Sequence, residues 1–141
     1  MSPRESNPDR LSRRVQGDQA IGLAADAARA FGSAQWLDDD ELARLCIIVE
    51  ELVANLYEHG GLTPNDQVEL SFSCERDGIE VAIVDPGRPF DPWNTPRTGE
   101  RKDRGGGAGI DIVTAWAQLV RYDVTDAGNR LVFLLPVKWE S

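Results

Sequence analysis

A chain of 141 residues with 41% hydrophobic and 28% charged residues has the makings of one globular domain with a real core. A formal net charge of -9 argues against nucleic-acid backbones and anionic membranes as main partners. It does not exclude a nucleotide, because a local group of Arg and Gly residues can bind phosphate inside an acidic protein.

No apolar run reaches the ~20 residues of a membrane span, and the polar stretch Met1 to Arg14 has no apolar centre for a secretion signal. A cytoplasmic protein is therefore expected. Residues 1–10 read as a flexible tail and 11–141 as a single domain. Leu11 to Gln16 is a short edge strand. Gln19 to Phe31 is Ala-rich, with Ile21, Leu23, Ala24, Ala27, Ala28 and Phe31 on one helical face. Gly32-Ser33 ends it. Asp38-Asp39-Asp40 then caps a second helix and gives it an acidic first turn.

In that second helix Leu42, Leu45, Ile48, Val49, Leu52 and Leu56 recur at steps of three and four, the period of a buried face. Glu51, Asn55 and His59 recur every four residues beside it, and Gly60-Gly61 stops the helix. Val68, Leu70, Phe72 and Cys74 alternate with polar residues, as in a half-buried strand. A turn with Asp77-Gly78 at its tip leads back through Ile79, Val81 and Ile83. Cys46 and Cys74 fit apolar faces and form no metal or redox motif, so both are expected as buried free thiols.

From Pro86 to Gly107 the sequence has no period and is rich in Pro and Gly. Structureless segments of this length are usually functional or mobile, so a lid over about 88–107 is expected. A helix carrying Ile110, Val113, Ala117 and Leu119 starts near Gly107 to Gly109. Val120 to Val124 and Leu131 to Val137 form a second hairpin, turning at Asp126 to Asn129. Strands in hairpin pairs with interspersed helices imply a two-layer α/β sandwich: a mixed, largely antiparallel sheet with helices packed on one face.

Chemistry concentrates in three places. Asn55 offers a hard oxygen suited to Mg²⁺, and Glu51, one turn earlier, can accept a proton. Asp85 ends a buried strand, where its carboxylate can accept from an exocyclic amine, and Gly87 lets main chain approach a flat ring. Arg104 to Gly109 offers bare amides ahead of a helix, an anion site with Arg97, Arg101, Lys102 and Arg104 nearby. Each has an ordinary alternative: a polar helix face, a strand ending in a turn, a flexible Gly run. Their order and spacing are more specific than any one of them.

Taken together, Glu51-Leu-Val-Ala-Asn55-Leu-Tyr-Glu-His59-Gly60, Asp85-Pro-Gly87-Arg-Pro-Phe90-Asp91-Pro92 and Gly105-Gly-Gly-Ala-Gly109-Ile110 resemble the N, G1 and G2 boxes of the Bergerat-fold (GHKL) ATPases. Within them the resemblance is to the anti-sigma-factor serine/threonine kinases, and it extends over about residues 11 to 137. It implies ATP and Mg²⁺ as cofactors, Glu51 as catalytic base and Asn55 as metal ligand. It also implies nucleotide contacts from Asn55, His59, Asp85, Gly87, Phe90, Arg104, Gly105, Gly107, Gly109 and Ile110. His59 matches the box-closing position, either as a contact or as a purely structural histidine. A sigma factor and a STAS-domain antagonist are the implied partners, with a homodimer typical of the family. The alternatives are a non-catalytic nucleotide-dependent binding module of the same fold and a histidine-kinase ATP-binding domain. Three departures stand out: Leu56 where Ala is common, Asn129 where Thr is frequent, and a lid without a Thr-Thr-Lys run.

Overall fold

The computed structural model describes residues 9–89, 91–93 and 106–139, with side chains from residue 111 onward in the last stretch. In chain order the elements are β1 (Arg10–Gln16), a 3₁₀ turn (Gly17–Gln19), α1 (Ala20–Ala34), α2 (Asp39–Glu58), β2 (Gln67–Glu75), β3 (Gly78–Asp85), α3 (Gly106–Trp116), β4 (Gln118–Thr125) and β5 (Gly128–Pro136). The expected tail up to residue 8 and most of the expected lid lie outside the described residues.

The five strands form one sheet in the order β1-β2-β3-β5-β4, and every pairing is antiparallel. The sheet is therefore wholly antiparallel rather than mixed. Hairpins β2–β3 and β4–β5 account for two of the pairings. β1 then pairs with β2, and β3 joins β5 at the centre.

The helices lie on one face because the strands alternate. Val68, Leu70 and Phe72 of β2 are buried, whereas Glu69 and Ser71 between them are exposed. Ile79, Val81 and Ile83 of β3 continue that layer, as do Leu131, Phe133 and Leu135 of β5. Against it α1 sets Ala24, Ala28 and Phe31, and α2 sets Leu45, Ile48, Val49, Leu52 and Val53. Phe31 stacks on Phe72 with ring centroids 5.5 Å apart, a direct contact between helix layer and sheet.

Helix α2 begins where the acid run places it. Asp38 Oδ1 accepts from the Glu41 amide at 2.7 Å, and Glu41 Oε1 accepts from the Asp38 amide at 3.0 Å. This reciprocal pair is a capping box and satisfies two otherwise unpaired N–H groups. α1 ends differently. Trp36 takes the left-handed conformation, φ 63°, that usually belongs to Gly after a helix, and its side chain is 91% exposed.

Several expectations shift by a residue or two. The first hairpin turns at Arg76–Asp77, and Gly78 starts β3, where a Cβ would collide with the Leu135 carbonyl of β5. The second turns at Asp126–Ala127, with Gly128 and Asn129 already in β5. Leu119 belongs to β4 rather than to the helix, because α3 stops at Trp116 and the chain pairs with β5 from Gln118. Cys46 is a buried free thiol as expected. Cys74 is free but only half-buried, near the end of β2 where the strand runs out to solvent.

Candidate nucleotide site

α2 and the end of β3 meet at a small cavity lined by Leu52, Leu56, Ile83, Asp85, Pro92, Tyr122 and Leu131. Leu52 and Leu56 are one helical turn apart and come from the sheet-facing side of α2. Ile83 and Asp85 alternate on β3, and Leu131 pairs with Ile83 across the β3–β5 ladder. Alternation brings Asp85 to the same face as Ile83, so a carboxylate stands at the end of an apolar wall.

Asp85 is 5% exposed. Its Oδ2 accepts from the Gly87 amide at 2.8 Å and from Asn129 Nδ2 at 3.3 Å. Burial pushes its carboxyl up from the usual range, and those two donors pull partly back by favouring the ionised form. Asn129 sits directly opposite Asp85 in the ladder and is 3% exposed. Its Nδ2 also approaches the carbonyls of Gly87 at 2.8 Å and Arg88 at 3.3 Å. Gly128 allows this corner to close, since a Cβ there would strike the Asp85 carbonyl.

The loop after β3 is docked on the end of α2. The Arg88 amide donates to the Gly60 carbonyl at 2.7 Å, and Arg88 Nη2 to the His59 carbonyl at 3.0 Å. A Cβ on Gly87 would collide with that same Gly60 carbonyl. The close approach that Gly87 permits is thus to the helix end, in addition to any ligand. A second anchor lies beyond Pro92, where Trp93 donates its indole N–H to the Ala117 carbonyl at 3.2 Å and stacks on Phe133.

Asn55 is buried, and its Nδ2 donates to the Glu51 carbonyl at 2.7 Å. That bond commits the donor end and leaves Oδ1 as the atom able to bind a cation. Glu51 is half-buried on the same face, and desolvation, then Glu50 and Glu58, push its carboxyl up. His59 is exposed at the C-cap of α2, and the residues lining the cavity do not include it. Gly107, Gly109 and Ile110 fall within the first turns of α3, which starts at Gly106, slightly earlier than expected. Phe90, Arg104 and Gly105 lie outside the described residues. α3 itself packs on α2, and Arg44 of α2 stands 5.2 Å over the Trp116 ring.

In this conformation the cavity has room for about one water, roughly 10 Å³. Leu56, in place of the smaller residue frequent in the resembled proteins, is one reason. Pro92 is another wall. The donor chemistry fits a nucleotide all the same: a buried acceptor, apolar walls for a flat ring, and a carboxamide oxygen on the neighbouring helix.

Residues 17–135 match the family described as histidine kinase-like ATPase domain. The chain belongs to the histidine kinase-like ATPase domain family. Domains of this family bind ATP, generally with Mg²⁺, so the chain is a nucleotide-binding module of the GHKL type. Among solved structures the ATPase domain is similar to the histidine kinase domain of the blue-light activated histidine kinase from Erythrobacter litoralis EL346. The likeness has a TM-score of 0.51 at 16% identity, covering 85% of this chain and 63% of that one, and it concerns the fold. A search of curated proteins finds no match. Among the described residues no helix is long and apolar enough to cross a membrane.

The sequence marks Glu51, Asn55 and Asp85 as candidates and says less of Asn129 and Arg88, which the fold brings to the end of β3 and the end of α2. Asn129 was visible only as an Asn in place of a Thr. Nothing local marks Arg88, whose partners are the residues that close α2.

Proposed function

We propose that this ATPase domain is an anti-sigma-type regulatory serine/threonine kinase. It binds Mg-ATP with the base in the Asp85 cavity, holds a sigma factor or similar regulator, and phosphorylates a Ser or Thr of a STAS-domain antagonist. The observation that carries the reading is a buried Asp85 acceptor at the end of β3, in a cavity walled by Leu52 and Leu56 of α2, the helix that also bears Glu51 and Asn55. Homodimerisation and a cytoplasmic location belong to the same proposal.

The roles follow from chemistry. Asp85 receives the base amine. Asn55 Oδ1 would be the protein's ligand for Mg²⁺, a hard cation suited to a carboxamide oxygen. Among the described residues no group of three or more His, Cys, Asp or Glu could hold a metal by itself. ATP would supply the phosphoryl group and leave as ADP, and Mg²⁺ held there would neutralise charge on the phosphates. Glu51 takes the proton of the incoming hydroxyl, and its partial desolvation makes it a stronger base than a solvated carboxylate. Positioning provides most of the remaining catalysis.

Phosphate transfer from radiolabelled ATP to a STAS-domain substrate tests the reading. Glu51→Ala should abolish transfer while ATP still raises the melting temperature, as any ligand of the folded state must. Unchanged transfer rejects Glu51 as base. Asn55→Ala should remove the Mg²⁺ dependence of ATP affinity, and a wild-type affinity indifferent to Mg²⁺ rejects that assignment. A second reading, a histidine-kinase ATP-binding domain, draws on the structural likeness. Acid stability separates the two, since phosphoserine survives acid and phosphohistidine does not. ATP binding with no transfer to either acceptor leaves the non-catalytic module.

A further inference from the structure

The β3–β5 ladder runs from Asp85 and Asn129 at the cavity end to Gly78 and Pro136 at the other. Past that far end, the close of α1, the start of α2 and the chain after β5 enclose a groove of about 400 Å³. Its walls include Trp36, Val137 and Trp139, with the charged groups of Asp38, Glu41 and Lys138 beside them. It shares no lining residue with the Asp85 cavity, so a ligand there is independent of the nucleotide reading.

Trp36 is 91% exposed, so the core makes almost no use of its indole. Its backbone is nevertheless held. The amides of Gln35, Trp36 and Leu37 donate to the carbonyls of Phe31, Gly32 and Ser33, at 3.1 to 3.3 Å. Leu37, the next residue, is half-buried against the core. A fixed turn thus presents a large aromatic ring to water. Trp139 is half-buried, and its indole N–H donates to the Glu75 carbonyl at 2.9 Å. Two aromatic walls on held backbone need little ordering when a ligand arrives, which favours binding.

Charge says what kind of ligand fits. The capping box uses Asp38 Oδ1 and Glu41 Oε1, and each carboxylate has its other oxygen outside the box. Asp39 and Asp40 stand exposed on the same first turn, so negative charge outweighs Lys138. A second copy of this face, on a chain of net charge -9, would be repelled, as would an acidic peptide. A guanidinium suits both features, because it stacks on an indole and pairs with carboxylates. We propose that the Trp36–Trp139 groove docks a cationic, Arg-bearing peptide segment of a partner protein. The Arg stacks on Trp36 with its charge toward Asp38 and Glu41, and Val137 meets an apolar neighbour of that Arg. Lys138 opposes the ligand and limits its affinity.

The experiment titrates the full chain with three capped pentapeptides, alike except at two positions that carry Arg, citrulline or Glu. Citrulline keeps the planar shape of Arg without its charge. Indole N–H resonances read the binding, since the chain has four Trp residues and only Trp36 and Trp139 line the groove. The Arg peptide should shift those two signals saturably and leave those of Trp93 and Trp116 in place. The citrulline peptide should bind several-fold more weakly, and the Glu peptide should not bind. Trp36→Gly, read at Trp139, should weaken the Arg peptide by about tenfold or more, as loss of a central aromatic anchor does. Asp38→Asn with Glu41→Gln keeps both cap acceptors while removing both charges. That pair should weaken the Arg peptide about fivefold and flatten its salt dependence. Lys138→Gln should strengthen it by about two- to threefold.

No saturable shift with the Arg peptide overturns the inference, as does equal affinity for the citrulline or Glu peptide. Both comparisons use wild type and need no variant to fold. Undiminished binding to Trp36→Gly also overturns it, by placing the peptide elsewhere on an acidic surface. Trp36 shifts that appear on concentrating the chain without peptide make a second copy the occupant, brought by Arg13 and Arg14 of β1, and overturn it too. No arm contains nucleotide, so failure here leaves the kinase reading untouched.

Discussion

Replacing Gly87 by Ala probes the junction on which the site depends. An added Cβ would collide with the Gly60 carbonyl and lie 3.0 Å from both Asp85 Oδ2 and Leu62 Cδ2. Two of those three neighbours are held, one as the end of α2 and one as the hydrogen-bonded carboxylate of Asp85. The loop must then lift off the helix. Overpacking of this kind costs about 1–3 kcal/mol. Lifting also breaks the 2.7 Å bond from the Arg88 amide to Gly60 and strains the 2.8 Å bond from Asn129 to Gly87. Each is worth about 1 kcal/mol. The smaller unfolded-state entropy of Ala returns roughly 0.4–1 kcal/mol. The expected net loss is therefore about 2–4 kcal/mol, or roughly 8–15 °C in melting temperature for a domain of this size.

Gly22→Ala is the internal control. Gly22 lies in α1 with nothing within 4 Å of an added Cβ. Helix propensity alone should raise stability by about 0.5–1 kcal/mol. Urea unfolding of both variants, with hydrogen exchange at the Arg88 amide, reads the result. Gly87→Ala within about 0.5 kcal/mol of wild type, the scatter of ordinary surface changes, would refute the docked-loop reasoning.

Trp36 and Asp85 give two further tests. Trp36→Gly should raise the urea midpoint, because Gly avoids the left-handed cost of roughly 1 kcal/mol while little packing is lost at 91% exposure. A lower midpoint would mean that the indole supports the fold. Asp85→Asn should abolish nucleotide binding yet leave the protein at pH 7 at least as stable as wild type. The carboxyl of Asp85 is raised in the fold by burial. Its stabilising share is therefore full below the unfolded carboxylate pKa of about 3.9 and is lost as pH rises through the higher folded value. The advantage of the Asn variant should shrink as pH falls from 7 toward 4 in thermal scans. An advantage that grows instead contradicts the sign.

The histidine kinase-like ATPase fold was largely legible because its signals are local. A capping box, a 3.6-residue period and a 2-residue alternation each act over a few positions, and Asp38, Leu45 to Leu56 and Val68 to Phe72 took the places their neighbours dictated. Where those signals ended, boundaries drifted. Leu119 matched a helical period but became strand, because pairing with Phe133 lies far along the chain and outweighs local propensity. Both hairpin tips moved for a similar reason, since the ladder and the close approach of Gly78 to Leu135 and of Gly128 to Asp85 fixed the register.

Sequence by itself determined the elements, the buried faces, and which acid, amide and strand-end carboxylate to watch. Only the tertiary structure decided what those groups hold. Asn129 meets Asp85 across 44 positions and Arg88 meets His59 across 29. Such bonds exist only after the sheet has ordered β3 beside β5 and set α2 against them. A hydrogen bond acts over about 3 Å, so its partners are fixed by where the fold delivers them and leave no periodic trace in the chain.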